Sequence, residues 1–409
     1  MSQGDDPYQA LRYREYRCFL GSAVALTMAT QIQTLAMGWQ IYHITRDPLS
    51  LGLIGLAEAV PFLGLSLVGG QVADRMDRRR LTLAAVAVLL LGAALLLALN
   101  LRGAPAAAWP FYAIQALAGV GRAFYRPASQ ALGTELVPRE AYLNAATWRS
   151  SSLQMAMVAG PALGGLLLGF GSAVAAYLAE VLLMGFAWLA MLPVAPRPRA
   201  AACDTPMLQG LGEGIGFVFR HQVLIGAMAL DLFAVLFGGA PALLPVFAAT
   251  ILKVGPQGFG LLRTAPAVGS VLMGLWLAHH PPRRWAGLTL LGCVAGFGLC
   301  WIAFALSWSF WLSLALLAMS GALDNVSIVL RHTLLQTRTP PEMMGRVQAV
   351  GGFFISSSNE LGAFESGLAA KLLGIIPSVV FGGCMTLGVV AVTGWKAPEL
   401  RKLGKLTGG

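Results

Sequence analysis

The sequence predicts an all-α polytopic membrane protein with twelve transmembrane helices in two pseudo-symmetric six-helix bundles. Hydrophobic residues make up 57% of the 409 positions, whereas charged residues make up only 11%. Apolar windows of about 20 residues recur along the chain, and each is long enough to cross a hydrocarbon layer roughly 30 Å thick. Because strand-like alternation is absent from the sequence, helices must satisfy the backbone hydrogen bonds within the lipid.

The apolar windows define twelve spans in chain order. They are residues 17–43, 49–72, 81–101, 109–134, 141–169, 172–192, 222–250, 257–279, 285–305, 309–333, 345–370 and 374–395. A proline-rich polar break follows the sixth span, and its second part predicts a short amphipathic helix on the cytoplasmic surface. The resulting domains are an N-terminal bundle (1–192), a cytoplasmic linker (193–221), a C-terminal bundle (222–395) and a cytoplasmic tail (396–409).

The distribution of Lys and Arg predicts the orientation of these spans. With both termini in the cytoplasm, most of the 28 Lys and Arg residues flank the cytoplasmic ends of the helices. The opposite ends hold only Arg46, Arg102, Lys253 and Lys371. This positive-inside bias indicates a multi-pass protein of the cell membrane, inner or plasma. It also accounts for the net charge of +10 without nucleic acid as a partner.

The two halves of the chain repeat weakly. A shift of 202 residues places GVGRAFYRP, which begins at Gly119 in the fourth span, on GALDNVSIV, which begins at Gly321. A shift of 208 residues places LGLIGLAEAV of the second span on FGLLRTAPAV of the eighth. The shared order of glycines and prolines favours a duplication, which is an architecture of secondary transporters. Under the first shift, Asp324 falls on Arg122, so equivalent helices carry opposite charges.

The stretch GGQVADRMDRRRL, residues 69–81, concentrates charge between the second and third spans. It resembles the loop between helices two and three of the major facilitator superfamily, although Asp77 stands where that family usually has glycine. The resemblance implies a gating motif of Gly70, Asp74, Arg75, Arg78 and Arg79. We expect Arg75 or Arg78 to reach Glu135 at the end of the fourth span. The alternative is a simple positive-inside signal, but that signal requires neither Gly70 nor Asp74. We expect Asp74 to meet the N-terminal end of a helix from the other half.

Three further segments are similar to the same superfamily. The motif AGPALGG in the fifth span resembles that of proton-coupled exporters, with Gly160, Pro161, Gly164 and Gly165. Arg122 stands at the place of the family's membrane-embedded arginine. The segment HTLLQTRTPPEMMGRVQAV resembles the enterobactin-exporter and macrolide-efflux branch. In the fifth span we expect a proline kink and close helix packing at the glycines.

The resemblance implies a secondary transporter that exports a small amphipathic molecule, siderophore- or drug-like, by proton-coupled alternating access. Its partners are the substrate, protons and the lipid bilayer, in a monomer without a cofactor. A carrier of another substrate class, such as a lysolipid flippase or a metal or metabolite exporter, is the alternative. The five cysteines lack the spacing of metal ligands, and neither HExxH, GxSxG nor a phosphate-binding loop indicates an enzyme.

Charged side chains within the spans are the candidates for proton coupling, because each costs at least ~2.5 kcal/mol in the bilayer. Asp231 has no charged neighbour within a helical turn, so we expect an isolated carboxylate that takes up a proton. Asp324 is expected to partner Arg122 or Arg126. The alternative for Asp324 is a structural salt bridge. The candidate set is Asp231, Asp324, Glu58 and Glu360.

Polar side chains also indicate a substrate cavity. Arg122 and Arg126 are four residues apart, so they share one face of the fourth span with Gln115. Such a stripe must face either a water-filled cavity or another helix, and this span lines the central cavity in the resembled fold. The candidate set adds polar residues of other spans and one aromatic residue: Arg122, Arg126, Gln31, Thr34, Gln115, Trp148, Asn325 and Asn359.

Overall fold

A computed structural model of the chain describes residues 6–103, 107–196, 207–238, 240–280, 285–340 and 343–401. These residues form helices joined by short loops, and no strand occurs among them. In the first half the helices are α1 Arg14–Thr45, α2 Pro48–Arg75, α3 Arg78–Leu101, α4 Trp109–Glu135, α5 Tyr142–Leu166, α6 Ala173–Met191 and α7 Met207–Arg220. In the second half they are α8 Gln222–Phe237, α9 Leu244–Val246, α10 Gly255–His279, α11 Ala286–Ala305, α12 Phe310–Arg338, α13 Met344–Leu373, α14 Ile375–Lys396 and α15 Pro398–Arg401.

The long helices confirm the predicted all-α membrane fold. Within the described ranges, 10 helical segments are long and apolar enough to cross a membrane. The helices α4 and α13 are less apolar, but their 27 and 30 residues suffice for a span and complete the predicted twelve. The amphipathic helix predicted in the linker is α7.

The seventh span departs from the single helix that the sequence predicts for residues 222–250. The helix α8 ends at Phe237, and the span continues through a 3-10 turn, α9 and a π-helical turn at Phe247–Ile251. Pro241 and Pro245 lie in this stretch. Because proline has no N–H to donate, a regular α-helix cannot run through both positions without losing hydrogen bonds.

Two compact units emerge from the contacts within the chain. The first comprises Met1–Arg46, Ala57–Cys203 and Pro256–Gly260. In this unit α1 packs against α5 and α6, and α3 packs against α4 and α6. Its core is formed by buried apolar residues of these helices, among them Phe19, Leu26, Leu89 and Leu132.

The second unit comprises Asp47–Leu56, Asp204–Gly255 and Leu261–Gly409. Here α11 packs against α12 and α14, and α8 packs against α13 and α14. Buried leucines fill the contact, including Leu230, Leu290, Leu330 and Leu334. Each unit thus has its own apolar core, as the predicted bundles require.

One glycine contact recurs in both units at the positions that the sequence repeat makes equivalent. In the first unit, Gly119 of α4 lies against the backbone carbonyl of Glu58 in α2, so closely that a Cβ would clash. In the second, Gly321 of α12 lies in the same way against the carbonyl of Pro266 in α10. The shift of 202 residues relates the two glycines, and the shift of 208 relates Glu58 to Pro266. Both shifts of the predicted repeat therefore relate residues of the same packing contact, which occurs once in each unit.

We expect Gly119→Ala and Gly321→Ala to destabilise the protein, because each added methyl group would meet a backbone carbonyl that cannot move aside. Overpacking of this kind costs about 1–3 kcal/mol, which would lower the midpoint of thermal unfolding in detergent. Gly64→Ala is the matched control on α2, since a Cβ there meets nothing within 4 Å. Equal midpoints for all three variants would contradict the proposed contact.

Candidate transport site

An ion pair joins α2 to α4 in the first unit. The guanidinium of Arg122 pairs with one carboxylate oxygen of Glu58. Gln115, two turns earlier on α4, donates its side-chain amide to the other oxygen. Glu58 is only 6% exposed, so these two donors replace the water that would otherwise stabilise its charge.

The local sequence of the two helices makes this ion pair possible. Gly119 lies between Gln115 and Arg122 on the same face of α4, and it allows the backbones of α2 and α4 to meet. Pro61, inside α2, lies against the same glycine. The polar stripe predicted on the fourth span therefore faces another helix at this level. The Arg122 side chain still keeps 21% of its surface exposed.

A second ion pair joins α8 to α12 in the second unit. The guanidinium of Arg331 pairs with the carboxylate of Asp231. Both side chains are buried, with about a tenth of their surface exposed. The pair lies among the leucines that form the apolar core of this unit, so neither charge has extensive access to solvent.

The expectation that Asp231 is an isolated carboxylate is therefore wrong. Its partner follows it by 100 residues and sits on another helix, whereas the sequence argument examined neighbours within one helical turn. The positive-inside bias places Arg331 among the arginines at the cytoplasmic ends of the spans. In the structure it lies within α12 and is buried. Its role as a partner could not be separated from the positive-inside bias by sequence alone.

Asp324 and Asn325 lie on α12 about two turns before Arg331. Asp324 is half-buried and forms no ion pair with any residue in the described ranges. Arg122, one of its expected partners, is instead paired with Glu58. Asn325 donates to the hydroxyl of Ser270 in α10 at 2.9 Å, while its side-chain oxygen is buried without a partner in the described part of the chain.

The other candidate cavity residues have mixed surroundings. Arg126 is exposed, and its guanidinium lies over the ring of Phe62, 5.4 Å from the centroid. Thr34 and Asn359 bond to carbonyls of their own helices, at Thr30 and Ile355. Thr34 and Asn359 therefore bond within their own helices, and Arg126 lies against an aromatic ring.

Trp148 has a structural contact that the sequence did not indicate. Its indole N–H donates to the carbonyl of Pro7 at 2.8 Å, and its ring lies 5.8 Å from that of Tyr8. Trp148 therefore holds the N-terminal segment against α5, and its assignment to the cavity surface stays a prediction. The side chain of Glu360 lies outside the described residues.

The loop between α2 and α3 owes its conformation to Asp77. Its carboxylate accepts hydrogen bonds from the backbone N–H groups of Arg79 and Arg80 and so caps the N-terminus of α3. This explains an acid where the resembled loop has glycine. The expected contact between Arg78 and Glu135 is present and links α3 to the end of α4.

The remaining loop residues divide into buried and exposed groups. Gly70 is buried near the end of α2, whereas Asp74 and Arg75 are exposed. Arg79 donates to the carbonyl of Leu192 at 2.7 Å, just after α6. Arg78 and Arg79 thus tie the start of α3 to two neighbouring helix ends, whereas Asp74 is accessible to a further partner.

The glycine–proline motif of α5 lies against α1. Gly160 packs against the side chain of Gln31, because a β-carbon added to this glycine would lie only 2.6 Å from the Gln31 Cβ. Gly164 packs against the backbone of Ile32. Pro161 lies between them inside the helix. On the far side of the motif, Gly165 approaches Gly260, which belongs to the same unit. Gln31 is therefore a packing partner of the motif at its Cβ, as the close-packing interpretation expects.

Breaking the Asp231–Arg331 pair should strongly destabilise the protein. We expect Arg331→Gln to cost about 3–5 kcal/mol, because it leaves a buried carboxylate without its cation. Adding Asp231→Asn to that variant should recover much of the loss, since the uncompensated charge is then gone. The measurement is the thermal midpoint of the two variants in detergent. Additive losses in the double variant would show that the two residues act independently.

Comparison with known proteins agrees with this architecture. The chain matches a family described as transmembrane secretion effector over residues 6–405. The enterobactin exporter EntS of Salmonella choleraesuis is 28% identical over 364 residues, which cover 87% of this chain and 86% of the relative. EntS of Escherichia coli O1:K1 is 27% identical over the same shares.

Solved structures share the fold at lower identity. A POT family transporter in complex with 5-aminolevulinic acid has a TM-score of 0.76 at 11% identity, covering 95% of this chain and 97% of its own. A bacterial homologue of the human lysosomal transporter Spinster has a TM-score of 0.70 at 15% identity, covering 95% and 96%. This chain accordingly belongs to the transmembrane secretion effector family of the major facilitator superfamily, and it is a multi-pass efflux transporter of small molecules.

Proposed function

We propose that this transporter exports a siderophore- or drug-like amphipathic molecule by proton-coupled alternating access. It acts in the cell membrane as a monomer with both termini in the cytoplasm, and it uses the proton gradient instead of a cofactor. The observation that supports coupling is the presence of one buried arginine–carboxylate pair in each unit, Glu58–Arg122 and Asp231–Arg331. Each pair bridges two helices.

A carboxylate in such a pair can be stabilised by its arginine or by a proton. Protonation of Glu58 or Asp231 removes the charge that holds the arginine, so the contact between the two helices weakens. Proton binding then favours whichever conformation lacks that contact, and the two states exchange populations. In this way an ion pair between helices converts a proton gradient into a conformational bias.

The candidate acids divide by their surroundings. Glu58 and Asp231 are each paired with an arginine, so a proton and the arginine compete for the same carboxylate. Asp324 has part of its surface exposed and forms no ion pair within the described ranges, which makes it a candidate for the first proton taken up in the second unit. Glu360 stays a candidate from the sequence alone.

The substrate class rests on the relatives and on side-chain chemistry. The curated relatives are named as exporters of enterobactin, a siderophore, and they match along most of their length. Arg126 is exposed above an aromatic ring, and Arg122 is partly exposed beside it on α4. Guanidinium groups next to an aromatic face suit a molecule that combines hydrogen-bond acceptors with apolar or aromatic surface.

The loop at residues 69–81 is proposed as the cytoplasmic gating element. Asp77 and the Arg78–Glu135 pair fix the start of α3, while Asp74 stands exposed beside this fixed frame. An exposed acid in the last turn of α2, beside a loop that Asp77 holds in place, can form and break a contact as the helices move.

Gradient-driven flux tests the coupling. A thermal-shift screen with enterobactin, a macrolide and a lysolipid first selects the transported probe, and stabilisation by the lysolipid alone would contradict the proposed substrate class. In proteoliposomes, an imposed pH gradient should then drive that probe. We expect Asp231→Asn and Glu58→Gln each to lower the driven flux at least about fivefold, the lower range of coupling energies between sites.

The control for that experiment is Glu140→Gln, which neutralises an exposed carboxylate and should leave the flux unchanged. Flux that proceeds equally with and without the gradient would exclude proton coupling. If flux requires the gradient but is unchanged by Asp231→Asn and Glu58→Gln, the proton-coupling role belongs to Asp324 or Glu360.

The gating role of the loop makes a separate prediction. Asp74→Asn should alter the labelling of single cysteines placed at the two ends of α4, because the contact of the exposed acid is weakened. Asp77→Asn is the matched control, since Asn caps a helix about as well as Asp. Unchanged labelling in Asp74→Asn would reduce the loop to a topology signal.

A further inference from the structure

A fully buried carboxylate lies in α6 without any hydrogen-bond partner. Glu180 is 0% exposed, and both of its carboxylate oxygens lack a partner among the residues that the structure describes. Its helix is peripheral in the resembled fold, so the sequence favours a structural role for Glu180. A structural carboxylate in a protein interior is, however, normally paired or hydrogen-bonded. Glu180 therefore needs another explanation.

Its polar neighbours are already bonded to one another. Tyr177, one turn earlier on α6, donates its hydroxyl to the side-chain oxygen of Gln40 in α1 at 2.7 Å. Gln40 in turn donates its amide to Asn100 of α3. The helices that pack against α6, namely α1 and α3, thus supply neutral amides that are engaged elsewhere. Tyr177 is the titratable group beside Glu180 on its own helix.

Among the described residues, Arg122 of α4 is the cation close enough to act electrostatically on Glu180. In this structure that arginine forms its ion pair with Glu58, across from α4 on α2. Arg122 therefore lies within the electrostatic reach of two acids in the same unit, one bound directly and the other unpaired. An ionised Glu180 in this setting would carry a large desolvation cost with no bond to offset it, whereas a protonated Glu180 would not.

We propose that Glu180 is a second carboxylate site for Arg122 and holds a proton whenever Arg122 is paired with Glu58. In the exchange, Arg122 breaks its ion pair with Glu58 and forms one with Glu180. Glu180 releases its proton to water and Glu58 takes one up from water, so the summed charge of the three residues is unchanged. The inference deepens the proposed proton coupling and rests on it.

Infrared spectroscopy of the purified, reconstituted protein tests this exchange without a substrate. A buried protonated carboxyl group gives a C=O stretching band that a carboxylate lacks. At neutral pH the unaltered protein should show such a band, and Glu180→Gln should lose that component. Glu58→Gln should lose the same component although Glu180 is intact, because Arg122 then turns to Glu180 and displaces its proton. Glu140→Gln, at an exposed site, should retain the band.

Two outcomes would overturn the proposal. In the first, the spectrum of Glu180→Gln equals that of the unaltered protein. In the second, Glu58→Gln keeps the component that Glu180→Gln loses, so that Glu180 is protonated but does not share Arg122. If Glu180→Gln fails to fold, the C=O bands of Glu58→Gln and Glu140→Gln are compared instead. Loss of the band in Glu58→Gln alone supports the proposal, and its retention in both variants overturns it. Flux without gradient dependence, together with the expected spectra, would reject proton-driven export while leaving the shared arginine in place.

Discussion

The cost of burying a charge within the membrane explains why two acids of this protein each lie against an arginine of a neighbouring helix. Glu58 and Asp231 are tolerated inside the protein because Arg122 and Arg331 lie within bonding distance on a neighbouring helix. A pair of this kind is a poor source of stability compared with apolar packing, because desolvation consumes most of the attraction. Its value in a transporter lies elsewhere, since the same carboxylate can exchange its arginine for a proton.

Small residues make these contacts possible. The ion pair on α2 and α4 forms where Gly119 lets the backbone of Glu58 approach, and a β-carbon at that position would separate the two helices. A similar approach occurs in the second unit at Gly321, where no ion pair accompanies it. The close packing is thus a property of the duplicated scaffold, and the charges are an addition to it in one unit.

Sequence reasoning reached the helices from hydropathy and the repeat from the shared order of glycines and prolines. It reached the contact of Glu135 with Arg78 because both residues lie at the cytoplasmic ends of predicted spans. It missed the partner of Asp231 because an arginine near a helix end serves topology equally well, and only the packing of α8 on α12 distinguishes the two roles. It favoured a structural role for Glu180 because this helix is peripheral in the resembled fold, and nothing along α6 reveals that the neighbouring amides are already bonded to each other. Which residues of two helices face each other depends on the rotation of each helix about its axis, and hydropathy does not determine that rotation.

The divergence of the repeat has a mechanistic consequence. At the position of Glu58 the second unit has Pro266, and at the position of Arg122 it has Asp324, so the α2–α4 ion pair has no counterpart there. The arginine of the second unit instead stands at Arg331, equivalent to Ser129, and binds an acid on α8. Protonation would therefore loosen the contact between α2 and α4 in the first unit. In the second unit it would loosen the contact between α8 and α12. Under the proposed proton coupling, the two units therefore respond differently to a proton, because their ion pairs bridge different helices of the repeat.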